Sequence, residues 1–164
     1  MSDEISGVPI DYRTDSLGAA RQGTNPTVLT RMRTGWAVIG STQHLPGYCL
    51  LIHDGQADQL TELPRPDRLA FMHDLIILGE AIETACRAVD PDFWRINYEV
   101  LGNSWHHLHG HVHARYRWEP DDLRTGPVHL YGSARNAPEH LLGPQHDALR
   151  DAITAALVSI LDQD

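Results

Sequence analysis

The sequence predicts an α+β fold, an antiparallel β-sheet with one long helix on its face and a second helix near the end of the chain. Three observations predict it. Short β-prone runs occur as two neighbouring pairs, Gly35–Gly40 with Tyr48–His53 and Phe93–Val100 with His107–Trp118. Between the pairs, Pro66–Val89 carries apolar residues at three- and four-residue steps, as a helix lying on a sheet requires. The same period returns in Pro144–Leu161.

Residues 1–34 mix Asp, Arg, Gly, Thr and Ser with few apolar side chains. They are expected to form an irregular arm that adds little to the core, with a short helical turn near Asp15–Arg21. The connection Ser41–Gly47 ends in Pro46-Gly47, a turn signal that makes the first two strands antiparallel neighbours. Pro66 suits the first turn of the long helix, and Asp90-Pro91 stops it. Leu101–His106 joins the second pair of strands. Residues 119–143, broken by Pro120, Gly126, Pro127, Gly132, Pro138 and Gly143, predict a long irregular excursion of the kind that often carries specificity. The expected organisation is an arm (1–34), a core (35–118), and a loop with a C-terminal helix (119–164) completing the same domain.

The chain has 164 residues, 41% hydrophobic and 21% charged, which suits one domain with a buried core. Thirteen Lys and Arg stand against 22 Asp and Glu, a net charge of −9 that disfavours generic nucleic-acid binding. The two cysteines, Cys49 and Cys86, form neither a CxxC pair nor a disulfide framework. The acidic MSDEISG start lacks an apolar signal core, and no apolar run approaches the ~20 residues that span a bilayer. A cytoplasmic protein with no membrane partner is expected.

The compositional excess is histidine, eleven in all. On a strand, His107, His109, His111 and His113 project to one side, and His106, Leu108, Gly110 and Val112 to the other. A single histidine is ordinarily satisfied by water or a carbonyl group. Four on one strand face point to function, because a solvated face is more cheaply made of Thr, Lys or Glu. Two chemistries compete. The imidazoles His107, His109, His111 and His113 could ligate a transition metal. Alternatively, one attacks phosphorus while its neighbours donate to phosphate oxygens and the leaving group.

The run His107-Leu108-His109-Gly110-His111-Val112-His113 resembles the His-x-His-x-His signature of the histidine triad (HIT) superfamily of nucleotide hydrolases and transferases. Gly102-Asn103-Ser104-Trp105-His106-His107 is similar to that family's Gly-Gln-Ser/Thr-x-x-His lead-in. Asn97 stands where its preceding strand offers an Asn, and Pro46-Gly47-Tyr48-Cys49-Leu50-Leu51-Ile52 resembles its Pro-Gly-His strand. The resemblance covers about residues 35–118. Asn25-Pro26-Thr27, the Gly40–Tyr48 stretch and Arg115–Pro120 are most similar to actinobacterial members labelled diadenosine tetraphosphate hydrolase-like.

The resemblance implies that His109 attacks the α-phosphorus of a nucleotide, dinucleoside polyphosphate or nucleoside phosphoramidate, giving a nucleotidyl-histidine. Its other ring nitrogen would donate to a backbone carbonyl. His111 would lie near the phosphate and leaving group, and His107 would hold the network. Asn103, Ser104 and Asn97 would contact substrate oxygens. No cofactor is implied, although a divalent cation could accompany the substrate, and a homodimer is implied. Tyr48 replaces the family's histidine, Gly40 replaces its ribose-binding Asp or Asn, with Ser41 or Gln43 as substitutes, and His113-Ala114 replaces an apolar-Pro pair. The competing readings are a metal-dependent enzyme and a nucleotide-binding protein without turnover. His44 and His53 flank the second strand, Arg115 and Arg117 are local cations, and Trp36, Trp94, Trp105 or Trp118 could stack on a base, although such aromatics are more often core.

Overall fold

Five strands form one sheet in a computed structural model that describes residues 7–164. In chain order the elements are α1 (Ser16–Gln22), β1 (Val28–Arg31), β2 (Gly35–Ile39), β3 (Cys49–His53), α2 (Arg65–Val89), β4 (Phe93–Glu99), β5 (His109–Tyr116), α3 (Asp121–Arg124) and α4 (Asp147–Leu161). The strand order is β1-β2-β3-β5-β4, and every neighbouring pair is antiparallel. This is the α+β architecture expected from the sequence. No helix among the described residues is long and apolar enough to cross a membrane.

Alternation along the strands divides the sheet into two unlike faces. One face is apolar: Ala37, Ile39, Cys49, Leu51, Val112 and Ala114 meet Phe71, Leu75, Leu78 and Ile82 of α2 and Ile153 and Leu157 of α4, all buried. Gly110 belongs to this face. A Cβ there would lie 2.6 Å from Cδ1 of Leu75, so the glycine lets α2 approach β5 directly behind the histidines. The other face carries His109, His111 and His113, with Ile52 opposite His109, Leu50 and Glu99 opposite His111, and Asn97 opposite His113.

The N-terminal segment departs from expectation. The expected helical turn near Asp15–Arg21 is α1, but from residue 7 on the segment also contains β1 and delivers Leu17, Ala19, Ala20, Leu29 and Met32 to buried positions, more than an irregular arm would. Asp15 caps α1 by accepting from the Gly18 N–H at 2.8 Å, and Gly23, at φ 74°, ends it. Leu17 packs against Val38 and Ile52, so α1 covers one end of the histidine-bearing face. The burial signal was diluted across two very short elements. The sequence-derived strand limits are also slightly long: Gly40, Tyr48, Val100, His107, Leu108, Arg117 and Trp118 lie outside the strands.

The excursion after β5 is irregular, as expected, yet firmly held. Arg115, 1% exposed, donates to both carboxylate oxygens of Glu119 and to the carbonyls of Leu123, Arg124 and Gly126. Glu119 also accepts from the Tyr131 hydroxyl at 2.7 Å and the Tyr116 N–H at 2.7 Å. The buried charge is thereby fully paired.

Candidate active site

His109 opens β5 and is only 6% exposed. Its Nδ1 lies 2.6 Å from the carbonyl oxygen of His107. A carbonyl can only accept, so Nδ1 carries the proton and the lone pair sits on Nε2. Burial lowers the pKa of His109, the hydrogen bond to the His107 carbonyl opposes this, and charge on the His107 ring lowers it further. The ring is thus held neutral, with a nucleophilic nitrogen. His107 precedes β5, and its Nε2–H donates to the carbonyl of His53 at 2.8 Å, which fixes the connection feeding the strand.

His111 meets His109 edge to face, with ring centres 4.7 Å apart. Its Nδ1 lies 2.8 Å from the Tyr48 hydroxyl. Burial raises the Tyr48 pKa, so the phenol keeps its proton, while burial and the charges of His109 and His113 push His111 down to about 4. A neutral His111 accepting the Tyr48 O–H at Nδ1 carries its own proton on Nε2. The two central histidines therefore hold opposite roles: His109 offers a lone pair, and His111 offers a donor.

His113 does not join this pair in the same sense. It is 4% exposed, stacks on Tyr48 with ring centres 4.4 Å apart, and lies 3.7 Å from a Glu99 carboxylate oxygen. Burial lowers its pKa and Glu99 opposes the shift. The four histidines proposed as alternative metal ligands do not converge on one point. One nitrogen of each ring is directed to its own partner, and among the described residues no three His, Cys, Asp or Glu side chains are grouped to hold a metal ion.

A cavity of about 430 Å³ opens on the same face, lined by Tyr12, Ser16, Val38, Leu50, Ile52 and Trp105 among others. Its apolar floor comes from alternate residues of β2 and β3, and its outer wall from the N-terminal segment. Trp105, 40% exposed, rests against His107 and His109, with ring centres 5.3 and 4.8 Å away. It is a wall of the site rather than core, contrary to the general expectation for a tryptophan. The sequence did not single out Tyr12 or Ser16, because Tyr12 lies in a turn and Ser16 opens a helix too short for a long periodic pattern.

The remaining expected residues are distributed unevenly. Asn103 and Ser104 are exposed in the bend ahead of His107, after Gly102 at φ 78°, and neither side chain has a hydrogen-bond partner among the described residues. Ser41 lines the 430 Å³ cavity. Gln43 does not reach it. Its side chain is buried in the β2–β3 turn, donating to the carbonyls of Gly40 and Tyr48 and accepting from the Gly47 N–H, so it is corrected to a structural residue. Asn97 faces His113 rather than His109, and its Oδ1 accepts from Arg115 at 2.8 Å. Its Nδ2 has no hydrogen-bond partner among the described residues, and the residue lines a cavity with Glu99 and Arg115.

Gly40 and Tyr48 turn out to be one feature. A Cβ at position 40 would lie 2.2 Å from the Tyr48 ring, so the tyrosine occupies the space that any side chain at 40 would need. His44 packs against Tyr131 and His140, at 4.2 and 5.2 Å between ring centres, and His53 serves the site through its carbonyl only. The expected local cations are also engaged elsewhere: Arg115 with Glu119, and Arg117 with the carbonyl of Phe93 at 3.1 Å. The arginine that does approach the row is Arg135, lining a cleft with Tyr48 and His113. It lies in a stretch without periodicity, which is why the sequence did not single it out.

No protein-family model matches the sequence, and no curated protein is significantly similar to it. Solved structures are similar in fold. A histidine triad protein from Marinobacter aquaeolei VT8 superposes with a TM-score of 0.61 at 19% identity, over 88% of this chain and 94% of that one. A hypothetical histidine triad nucleotide-binding protein from Sulfolobus tokodaii strain7 gives 0.62 at 12% identity, over 88% and 91%. A Zn-bound histidine triad family protein from Mycobacterium smegmatis gives 0.59 at 15% identity, over 94% and 100%. With its sheet order and histidine-bearing strand, this chain has the fold of the histidine triad proteins.

Proposed function

We propose that this chain is a nucleotide hydrolase or nucleotidyl transferase acting at the α-phosphorus through a covalent intermediate on His109. The observation that carries the reading is the 2.6 Å contact from His109 Nδ1 to the His107 carbonyl, which leaves Nε2 unprotonated and fixes the ring. Its lowered pKa supports the same role, since a neutral imidazole is the attacking species.

In this reading the nucleoside occupies the cavity beside Trp105, Leu50 and Ile52, with Trp105 as an aromatic wall for the base. Attack by His109 Nε2 forms a bond to phosphorus as the bond to the leaving group breaks, and the leaving group departs with the electron pair. His111 Nε2–H donates a hydrogen bond to the phosphate oxygens, and Asn103 and Ser104 add neutral donors from the exposed bend. Water then attacks the nucleotidyl-histidine, the phosphorus–nitrogen pair returns to Nε2, and a water proton passes to solvent. No resident cofactor is needed for these steps, and a divalent cation would enter with a phosphate chain. We also propose a homodimer, built on the histidine triad likeness, as the assembled form.

The test is incubation with nucleoside polyphosphates and phosphoramidates, an alkaline quench, and intact-mass analysis. The expected result is an added nucleoside monophosphate residue on the His109 peptide. His109→Ala should abolish both adduct and turnover with an unchanged melting profile. Full turnover by that variant would remove the mechanism. Sedimentation of the native protein tests the dimer.

A further inference from the structure

The chain from Val128 to Leu142 is pinned against the β2–β3 connection. The Thr42 hydroxyl donates to the Arg135 carbonyl, the Gln43 N–H to His140 at 2.7 Å, and the Leu142 N–H to Ser41 at 2.9 Å. These bonds hold Arg135 at the His113 end of the histidine row, where it lines a cleft with Thr42, His44, Tyr48 and His113. Arg135 is half-buried, and among the described residues its guanidinium has neither a carboxylate nor a carbonyl partner. The cleft holds only about 10 Å³ and is also lined by Leu45 and Val128, so an anion would meet the unpaired Arg135 guanidinium at its mouth.

The direction of the row gives that anion a meaning. Successive histidines on β5 are about 6.6 Å apart along the strand, so His109 and His113 are separated by about 13 Å. The nucleoside-sized cavity lies at the His109 end, against Ile52 and Trp105, and Arg135 at the other. A group displaced from phosphorus at His109 and directed along the row would pass His111 toward Arg135. His111 has a donor on Nε2 and no surplus proton at neutral pH, because burial and its histidine neighbours keep it uncharged. A phosphate leaving group departs as an anion and needs charge neutralisation. An amine leaving group needs a proton.

We propose that Arg135 receives the phosphate chain beyond the reacting phosphorus, so that the site prefers nucleotides displacing an anionic phosphate over those displacing an amine. This rests on the role assigned to His109. In the step, the His109 Nε2–phosphorus bond forms, the bond from phosphorus to the bridging oxygen breaks, and that oxygen keeps the electron pair on the departing phosphate. The Arg135 guanidinium donates to non-bridging oxygens farther along the departing phosphate chain while remaining protonated throughout.

The test uses the full chain, with Arg135→Gln, Arg135→Lys and His109→Ala beside the wild type. Binding of inorganic tripolyphosphate is measured by calorimetry, and kcat/KM is measured for a dinucleoside tetraphosphate and for a nucleoside phosphoramidate. Arg135→Gln should weaken tripolyphosphate binding about tenfold or more, Arg135→Lys should recover part of it, and His109→Ala should still bind. The ratio of kcat/KM for the tetraphosphate to that for the phosphoramidate should fall about tenfold in Arg135→Gln. Equal tripolyphosphate affinity in wild type and Arg135→Gln, no binding by wild type, or an unchanged substrate ratio would overturn the proposal. Arg135-dependent tripolyphosphate binding without any turnover or His109 adduct would sink the catalytic reading instead, while leaving the anion site supported.

Discussion

Tyr48→Phe removes one oxygen and keeps the ring that stacks on His113 and fills the space over Gly40. What is lost is the 2.8 Å contact to His111 Nδ1. That nitrogen is then left in a largely buried position without its donor, and an unsatisfied buried polar group costs about 1–3 kcal/mol. With the hydroxyl gone nothing selects the His111 tautomer, so part of the population carries its proton on Nδ1, which takes the donor away from the phosphate. At about 1.36 kcal/mol per decade, kcat should fall by roughly 5- to 150-fold, with the larger share in kcat rather than KM. The assay is steady-state turnover of the preferred nucleotide, paired with nitrogen NMR of the His111 ring. Wild type should show Nε2 protonated, and the variant a shift toward Nδ1. Unchanged kcat, or a ring that stays protonated at Nε2 in Tyr48→Phe, would refute the reasoning.

Two further outcomes follow from the same geometry. The pKa of His111 is lowered from 6.5 to about 4, so the unfolded chain binds the proton first on acidification. Stability from this group is therefore complete above about pH 6.5, declines as the pH falls toward 4, and amounts to on the order of 3 kcal/mol. Urea unfolding at pH 7 and pH 4.5 measures it, and the acid limb of activity should lie below pH 6.5; equal midpoints or an acid limb above that value would contradict it. Gly40→Ala should destabilise by about 1–3 kcal/mol through collision with the Tyr48 ring, and Tyr48→Ala should relieve most of that cost in the double variant. Additive effects of the two substitutions would show that the positions do not share space.

Much of this was legible because period and residue type agree. Pro66–Val89 could be read as a helix to within a residue of its start, since burial on one face imposes the 3.6 repeat over many turns. The histidine alternation gave the correct shared face for His109, His111 and His113, because a paired strand has no freedom to turn one of them away. Short elements were harder. With four residues, β1 shows no alternation distinct from a loop, yet it completes the sheet edge. Side-chain commitments were harder still. Gln43 and Asn97 are chemically able to bind substrate, and only the fold shows the Gln43 amide and the Asn97 Oδ1 already occupied. Arg135 is the converse, an unremarkable residue in sequence that tertiary contacts bring to the row.

The buried Arg115–Glu119 pair ties down the start of the excursion, and the bonds from Ser41, Thr42 and Gln43 tie down its end. Between these anchors, residues 128–137 touch the His113 end of the histidine row without contributing to the sheet. The segment is therefore an exchangeable cassette. Under the proposed function, altering that strap alone would change which substrates are accepted, while the imidazole row and the core beneath it stay as they are.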